Sequence, residues 1–188
     1  MARRIGPKKK YQRRFGIIAD ERTSNKPTNK RKSEYGERLE EKQKVKFIYG
    51  LLEKKMLAYV RQAQKDRQNP AETLMRLLET RLDNVIFRLG LAATREQARQ
   101  LVSHRHVLVN GKKLNIPSYQ VGAGETIELK KAIYESRNIV AAREATKNNS
   151  KPTWIHIQDN QGKILNLPNE KEMPQDIKIN YIFEYYSK

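Results

Sequence analysis

The sequence predicts an α+β fold, and three observations carry that prediction. From about residue 33 to residue 103 apolar residues recur at three- and four-residue steps, the period of helices that pack on one face. At Val107 the period changes to alternation, and Asn110-Gly111 follows as the signal of a tight hairpin. Ahead of both lies a stretch, residues 1–32, too basic and too poor in apolar residues to build a core of its own.

That first stretch carries Arg3, Arg4, Lys8, Lys9, Lys10, Arg13 and Arg14, with more lysine and arginine up to Lys32. Asp20 and Glu21 are its only acids. It is expected to be extended or disordered without a partner, with Phe15 and the Ile17-Ile18 pair as local anchors. So dense a run of cations reads as an arm for a polyanion, because clustered phosphate contacts gain from counterion release.

Residues 33–64 turn helical. Val45, Ile48, Tyr49, Leu52, Met56, Tyr59 and Val60 form one apolar stripe, with Gly50 placed to split it into two helices. Lys42, Lys44, Lys46, Lys54 and Lys55 are expected to lie off the stripe. Asn69-Pro70 starts the next helix, Asn69 as cap and Pro70 at the first helical position, with Leu74, Leu77 and Leu78 as its apolar face. Another helix, near Leu82 to Leu89, stops at Gly90. Thr94 and Gln97 make a capping box for a further one, which turns Ala98, Leu101 and Val102 inward and Arg95 and Arg99 outward.

In the hairpin, Val107 and Val109 share a face, and Lys112, Lys113 and Leu114 begin the return. "VGAGETIEL" is a loop into a strand with Ile127 and Leu129 on one side. A helix is expected within residues 130–150, ending at Asn148-Asn149. Two short strands, "PTWIHIQD" and "KILNLP", should be joined by a turn at Asn160 to Gly162. The tail "INYIFEYYSK" is apolar enough to dock, as strand or as helix.

Composition bounds the function. The 188 residues hold 39 Lys+Arg against 21 Asp+Glu, a formal net charge of +18. Such self-repulsion is relieved by a polyanion, with nucleic acid the first candidate and an anionic membrane the second. No apolar run approaches the roughly 20 residues of a membrane span, and no amphipathic helix fits a membrane surface well. The N-terminus lacks the apolar core of a secretory signal and reads as mature protein. Absence of cysteine rules out disulfides, cysteine-based zinc sites and a thiol nucleophile.

No metal site, cofactor or catalytic residue is expected. The histidines are His104, His106 and His156, without the spacing of a zinc site. No GxSxG, Walker A or dinucleotide fingerprint occurs. Asp83, flanked by Arg81 and Arg88, reads as a structural ion-pair partner. What stands out instead is a row of cations and donors on two rigid arms. Arg95 and Arg99 on a helix lead through Ser103, His104, Arg105 and His106 to Asn110, Lys112 and Lys113 on a hairpin. Two such arms can straddle a backbone and read folded RNA by shape, since its deep major groove admits few side chains.

The stretch "RLDNVIFRLGLAATREQARQLVSHRHVLVNGKKLNIPSYQVGAGETIEL" closely resembles the RNA-binding module of the ribosomal S-four family. The flanks "YGERLEEKQKVKFIYGLLEKKM", "PTWIHIQD" and "INYIFEYYSK" resemble the rest of that family, so the likeness spans almost the whole chain. The module alone is shared with pseudouridine synthases, some tRNA synthetases and ribosome-rescue factors. An RNA-modifying or rescue protein is therefore the alternative, but the sequence after Leu129 offers no Asp-centred catalytic motif.

The resemblance implies a mainly helical first domain with the RNA-binding module inserted, the C-terminal segment returning to the first domain. The expected boundaries are 1–32 for the arm, 33–80 joined by 176–188 for domain one, and 81–175 for domain two. It implies a primary binder of small-subunit ribosomal RNA that nucleates assembly of the subunit body at a multi-helix junction. It further implies a contact with ribosomal protein S-five tied to decoding accuracy, and a place in the cytoplasmic ribosome, with an organellar ribosome left open. The matching module positions are Arg81, Asp83, Arg95, Gln97, Arg99, Gln100, Ser103, His104, Asn110 and Lys112. Lys42, Lys44 and Lys46 match the segment beside the path of incoming mRNA. Two departures stand out. Many members carry an N-terminal cysteine cluster for zinc where this chain has "KKKYQRRFG", so the arm is expected to be ordered by RNA. Many also carry a second basic residue where this chain has Phe47.

Overall fold

The computed structural model describes residues 8–15, 33–147, 152–158, 161–169 and 177–187, apart from the side chains of Lys8, Lys10 and Arg13. In chain order the elements are α1 (Lys8–Arg14), α2 (Glu34–Ile48), α3 (Glu53–Ala63), α4 (Pro70–Glu79), α5 (Leu82–Arg88), α6 (Arg95–Ser103), β1 (Val107–Val109), β2 (Lys112–Leu114), β3 (Thr126–Leu129), α7 (Lys131–Tyr134), α8 (Arg137–Thr146), β4 (Ile155–Gln158), β5 (Gln161–Ile164) and α9 (Ile179–Tyr186). The fold is α+β, helices with a small antiparallel sheet. It divides into two compact units, Met1–Gln62 with Gln175–Lys188, and Ala63–Pro174. The first cut falls before residue 80, so α4 groups with the second unit. Bonds to the loop before β3 hold it there: Gln120 Nε2 donates to the Leu77 carbonyl at 3.1 Å, and Thr80 Oγ1 to Gln120 Oε1 at 2.6 Å.

In the first unit, Ser33 caps α2 by accepting from Gly36 N–H. Gly50, at φ +59, ends the α2 segment in the left-handed region that glycine enters without steric cost. The break shifts the helical phase. Leu51 is buried in its place and Leu52, expected on the stripe, is exposed. Within the arm, Lys8–Arg14 is helical where an extended or disordered stretch was expected. Phe15 is buried, and its ring lies 6.2 Å from Tyr11 and 5.7 Å from Phe47, with Tyr11 5.8 Å from Phe47. Phe47 thus supplies an aromatic anchor for α1 where a basic residue was the family expectation. Arg3, Arg4 and the Ile17-Ile18 pair lie outside the described residues.

The undecided tail is helix α9, packed on α2. Arg38 donates to Glu184 at 2.6 Å, and the Lys42 ammonium sits 3.9 Å from the centre of the Tyr185 ring. Lys42 is only 3% exposed and also donates to Glu53 at 3.1 Å. Glu53 further accepts from Lys46 Nζ and from the Tyr186 hydroxyl, both at 2.6 Å.

This cluster makes the docking of α9 pH-dependent. Burial pushes the Glu53 carboxyl up, but bonds from Lys46, Tyr186 and Lys42 outweigh it and carry its pKa from 4.5 down to about 2. A depressed acid contributes stability that is complete above its unfolded pKa and lost as pH falls through the folded one. Tyr186 is shifted the other way, raised from 10.0 by burial and by its bond to Glu53. Its contribution is present below pH 10 and fades above it. Acid titration should therefore loosen α9 between pH 4.5 and about 2, followed by tyrosine fluorescence, and Glu53→Gln should remove that acid limb. An acid limb retained in the variant would show that other groups control the docking.

The second unit is built around one five-stranded antiparallel sheet, in the order β2-β1-β3-β5-β4. Asn110 and Gly111 both have positive φ, +49° and +73°, as a type I′ hairpin turn requires. They set the register Val107↔Leu114 and Val109↔Lys112. Val107, Val109, Ile127, Leu129, Ile155 and Ile164 are buried in one core with Leu82, Val85 and Ile86 of α5 and Ala98, Leu101 and Val102 of α6. Residues 130–147 form two helices, α7 and α8, where one was expected. Asn148-Asn149 lies outside the described residues.

Gly162 also departs from the expected turn. It is a strand residue, opposite Ile157 on one side and Ile127 on the other. A Cβ there would penetrate the side chain of buried Leu89. Gly162→Ala should therefore cost about 1–3 kcal/mol in a denaturant titration, the range for overpacking a filled core. An unchanged midpoint would mean that Leu89 moves aside freely.

Candidate nucleic-acid interface

The α4–α5 joint and α6 build the centre of the site from buried acids. Asn69 Oδ1 caps α4 by accepting from Glu72 N–H at 3.1 Å, and α4 ends at Glu79. Glu79 is buried and receives Arg88 through both Nε and Nη2, each at 2.9 Å. Asp83, 2% exposed, receives Arg81 through Nε at 3.0 Å and Nη2 at 2.7 Å. It also receives Arg99 through Nε at 2.8 Å and Nη2 at 2.7 Å. Between the acids lies buried Asn84. Its amide donates to Glu79 Oε2 at 2.9 Å, while its Oδ1 accepts from Arg95 Nε at 2.7 Å. The Arg95 guanidinium lies over the Phe87 ring, 4.4 Å from its centre. Three arginines therefore bond two carboxylates and a fourth, Arg95, joins them through Asn84, so positive charges outnumber negative ones in the network.

This geometry corrects several expectations. Arg81, expected at the RNA face, is 4% exposed and holds Asp83. The second partner of Asp83 is Arg99, not Arg88, which pairs with Glu79 instead. Arg95 and Arg99 do not simply project outward. Each is half-buried and anchored at Nε, Arg95 by Asn84 and Arg99 by Asp83.

Along α6, Thr94 Oγ1 accepts from Gln97 N–H at 3.2 Å, and Gln97 Oε1 accepts from Ala93 N–H at 2.8 Å. The side chain of Gln97 thus reaches one residue beyond the capping-box partner. Gln100 is exposed, and Ser103 Oγ donates to the Arg99 carbonyl at 2.7 Å. The helix closes in a Schellman motif: Arg105 N–H bonds the Val102 carbonyl and His106 N–H bonds the Leu101 carbonyl. Arg105 fills the left-handed position at φ +60°, where glycine is usual. For a side chain with a Cβ that conformation costs about 1–2 kcal/mol.

His104 and Arg105 are exposed, and the two histidine rings stand 6.0 Å apart. His106 is half-buried. Burial first, then the charges of Lys130 and His104, hold its pKa below the ordinary 6.5, so it is neutral at physiological pH. On the hairpin, Asn110 Oδ1 accepts from Thr126 N–H at 2.9 Å, while Lys112 and Lys113 are exposed. Among the described residues no three His, Cys, Asp or Glu gather as a metal site, and no helix is long and apolar enough to cross a membrane.

In the first unit, exposed Lys9 and Arg14 lie on α1, and Arg14 Nε is 3.9 Å from Glu40. Arg3, Arg4 and the side chains of Lys8, Lys10 and Arg13 lie outside the described residues. Of the lysines expected beside mRNA, Lys42 is buried under Tyr185 and Lys46 is largely buried against Glu53. Lys44 is half-buried. Residues missed in the sequence are Glu79 and Asn84, which the network needs, and with them the true partner of Arg88. Their signal was faint: polar residues interrupting an otherwise apolar helix pair.

A capped helix leading through a tight joint into a cationic hairpin defines an RNA-binding module. The family described as "S4 domain" matches residues 80–127, and "Ribosomal protein S4/S9 N-terminal domain" matches residues 3–79. The chain is 45% identical over 213 positions to the small ribosomal subunit protein uS4 of Aquifex aeolicus, covering all of both chains. Over 201 positions it is 42% identical to that of Amoebophilus asiaticus and 40% to that of Cutibacterium acnes, again covering all of both chains. The chain belongs to the uS4 family of small ribosomal subunit proteins.

Proposed function

We propose that this protein is a structural constituent of the small ribosomal subunit that binds ribosomal RNA early and nucleates folding of the subunit body. The observation that carries the reading is the pair of rigid arms, α6 and the β1–β2 hairpin, meeting at the His104-Arg105-His106 joint. Arg95, Arg99 and Arg105 on one side and Lys112 and Lys113 on the other place cations at both edges of one module. Anchoring Arg95 and Arg99 at Nε fixes their forks in place. A fork held before binding loses less freedom on meeting a phosphate, and arginine can engage it through two bonds. Gln100, His104 and Asn110 supply further polar groups along the same line, and Ser103, whose hydroxyl hydrogen goes to the Arg99 carbonyl, offers an acceptor. The basic arm adds a second, sequence-independent hold on the backbone.

The same reading extends to decoding accuracy through ribosomal protein S-five. For incoming mRNA, Lys44 and the exposed edge of Lys46 are what remains of the expected trio. The ribosome is the proposed location. Co-sedimentation tests the reading: the protein should travel with small subunits through a gradient at raised salt. Release of the protein to the top of the gradient at physiological salt would refute it.

A further inference from the structure

The cationic surface runs on past residue 127, where the S4-domain match ends. Lys130 N–H donates to the His106 carbonyl at 2.9 Å, which sets Lys130 and Lys131 beside the joint. One turn later Tyr134 closes α7 and carries Arg143 of α8 over its ring, the guanidinium carbon 4.2 Å from the ring centre. Arg143 is exposed and Tyr134 half-buried. Helix α8 is tied down at its far end, where Thr146 Oγ1 lies 2.9 Å from the Gly90 carbonyl. From Lys130 to Lys147 there are five cations, Lys130, Lys131, Arg137, Arg143 and Lys147, against Glu135 and Glu144.

A guanidinium laid on a tyrosine is oriented before any ligand arrives. Arg143 remains exposed while its guanidinium lies over the ring, so the group keeps surface for a second partner. Unpaired RNA bases stack on arginine planes, a contact that a lysine ammonium cannot make. A duplex offers no such base, so the partner is a loop or bulge. We propose that Arg143, stacked on Tyr134, receives an unpaired base of the bound RNA on its exposed surface and carries the RNA interface beyond the S4 module onto α8. The proposal rests on the ribosomal RNA reading above.

Arg143→Lys keeps the charge and removes the plane, while Arg143→Ala removes both. With the intact chain and a small-subunit ribosomal RNA transcript, Arg143→Ala should weaken filter binding roughly tenfold, the size of a lost base stack. Arg143→Lys should lose most of that affinity, and both variants should leave the salt slope nearly unchanged, because a stacked base neutralises no phosphate. Thermal unfolding checks that both variants fold as the unaltered protein does. Full affinity in either variant overturns the proposal, and full affinity in the lysine variant alone reduces the site to a phosphate contact. Failure of the unaltered protein to bind the transcript would instead overturn the ribosomal RNA reading.

Discussion

Replacing Asp83 by alanine should lower unfolding stability by about 3–5 kcal/mol, the range for removing one partner of a buried ion pair. The carboxylate neutralises Arg81, which is 4% exposed. Removing the acid leaves that guanidinium charged and desolvated. Arg99 loses its anchor in the same step, since both of its bonds to Asp83 converge on Oδ2. RNA affinity should therefore fall as well, even though an acid is itself a poor partner for phosphate. Denaturant titration and filter binding on one preparation read both effects. A stability loss under about 1 kcal/mol, the size expected of an exposed pair, would mean that the site is wetter than its geometry implies.

Arg99→Ala should act on both properties, but differently. Asp83 keeps the two bonds from Arg81, so the stability cost should be about 1–3 kcal/mol, the scale of charged hydrogen bonds, and less than for Asp83→Ala. Binding should weaken roughly tenfold, because a fixed cation at the centre of the module is lost. Gln100→Ala is the control. It lies next on α6, is exposed, and should change stability by no more than about 0.5 kcal/mol. Equal stability losses for Arg99→Ala and Gln100→Ala would show that the Arg99–Asp83 pair contributes nothing to the fold.

The contrast between these variants shows what local sequence could reveal. The caps at Asn69 and Thr94, the stop at Gly90 and the Asn110-Gly111 turn are short-range devices, and each was legible from a few adjacent residues. Which arginine meets Asp83 was not. Arg88 is close in sequence but lies on another part of α5, while Arg99 arrives only because α6 packs back on α5. The same limit hid the burial of Lys42. Its partners Glu53 and Tyr185 come from α3 and α9, and a lysine in a basic run reads as solvated until they are in place. Gly162 resembled a turn residue because its reason for being glycine, the side chain of Leu89, lies just past the end of α5, distant in sequence. In the tail, Ile179, Ile182 and Tyr186 suit a helix, yet so short an aromatic stretch also fits alternation. Of the site, the cations were legible by type and spacing. Asp83 was legible as an ion-pair partner, but Glu79 and the Asn84 amide were not, because buried polar partners have no periodic signature.

The central claim is that the second unit presents a preorganised cationic surface to one particular RNA. The most direct test is a salt titration of binding by the intact protein, comparing small-subunit ribosomal RNA with an unrelated structured RNA of equal length. Each neutralised phosphate should add about 0.7–0.9 to the negative slope of log affinity against log salt, and the ribosomal transcript should bind more tightly at every salt concentration. A slope near zero, or equal affinity for the two RNAs across the titration, would contradict the account.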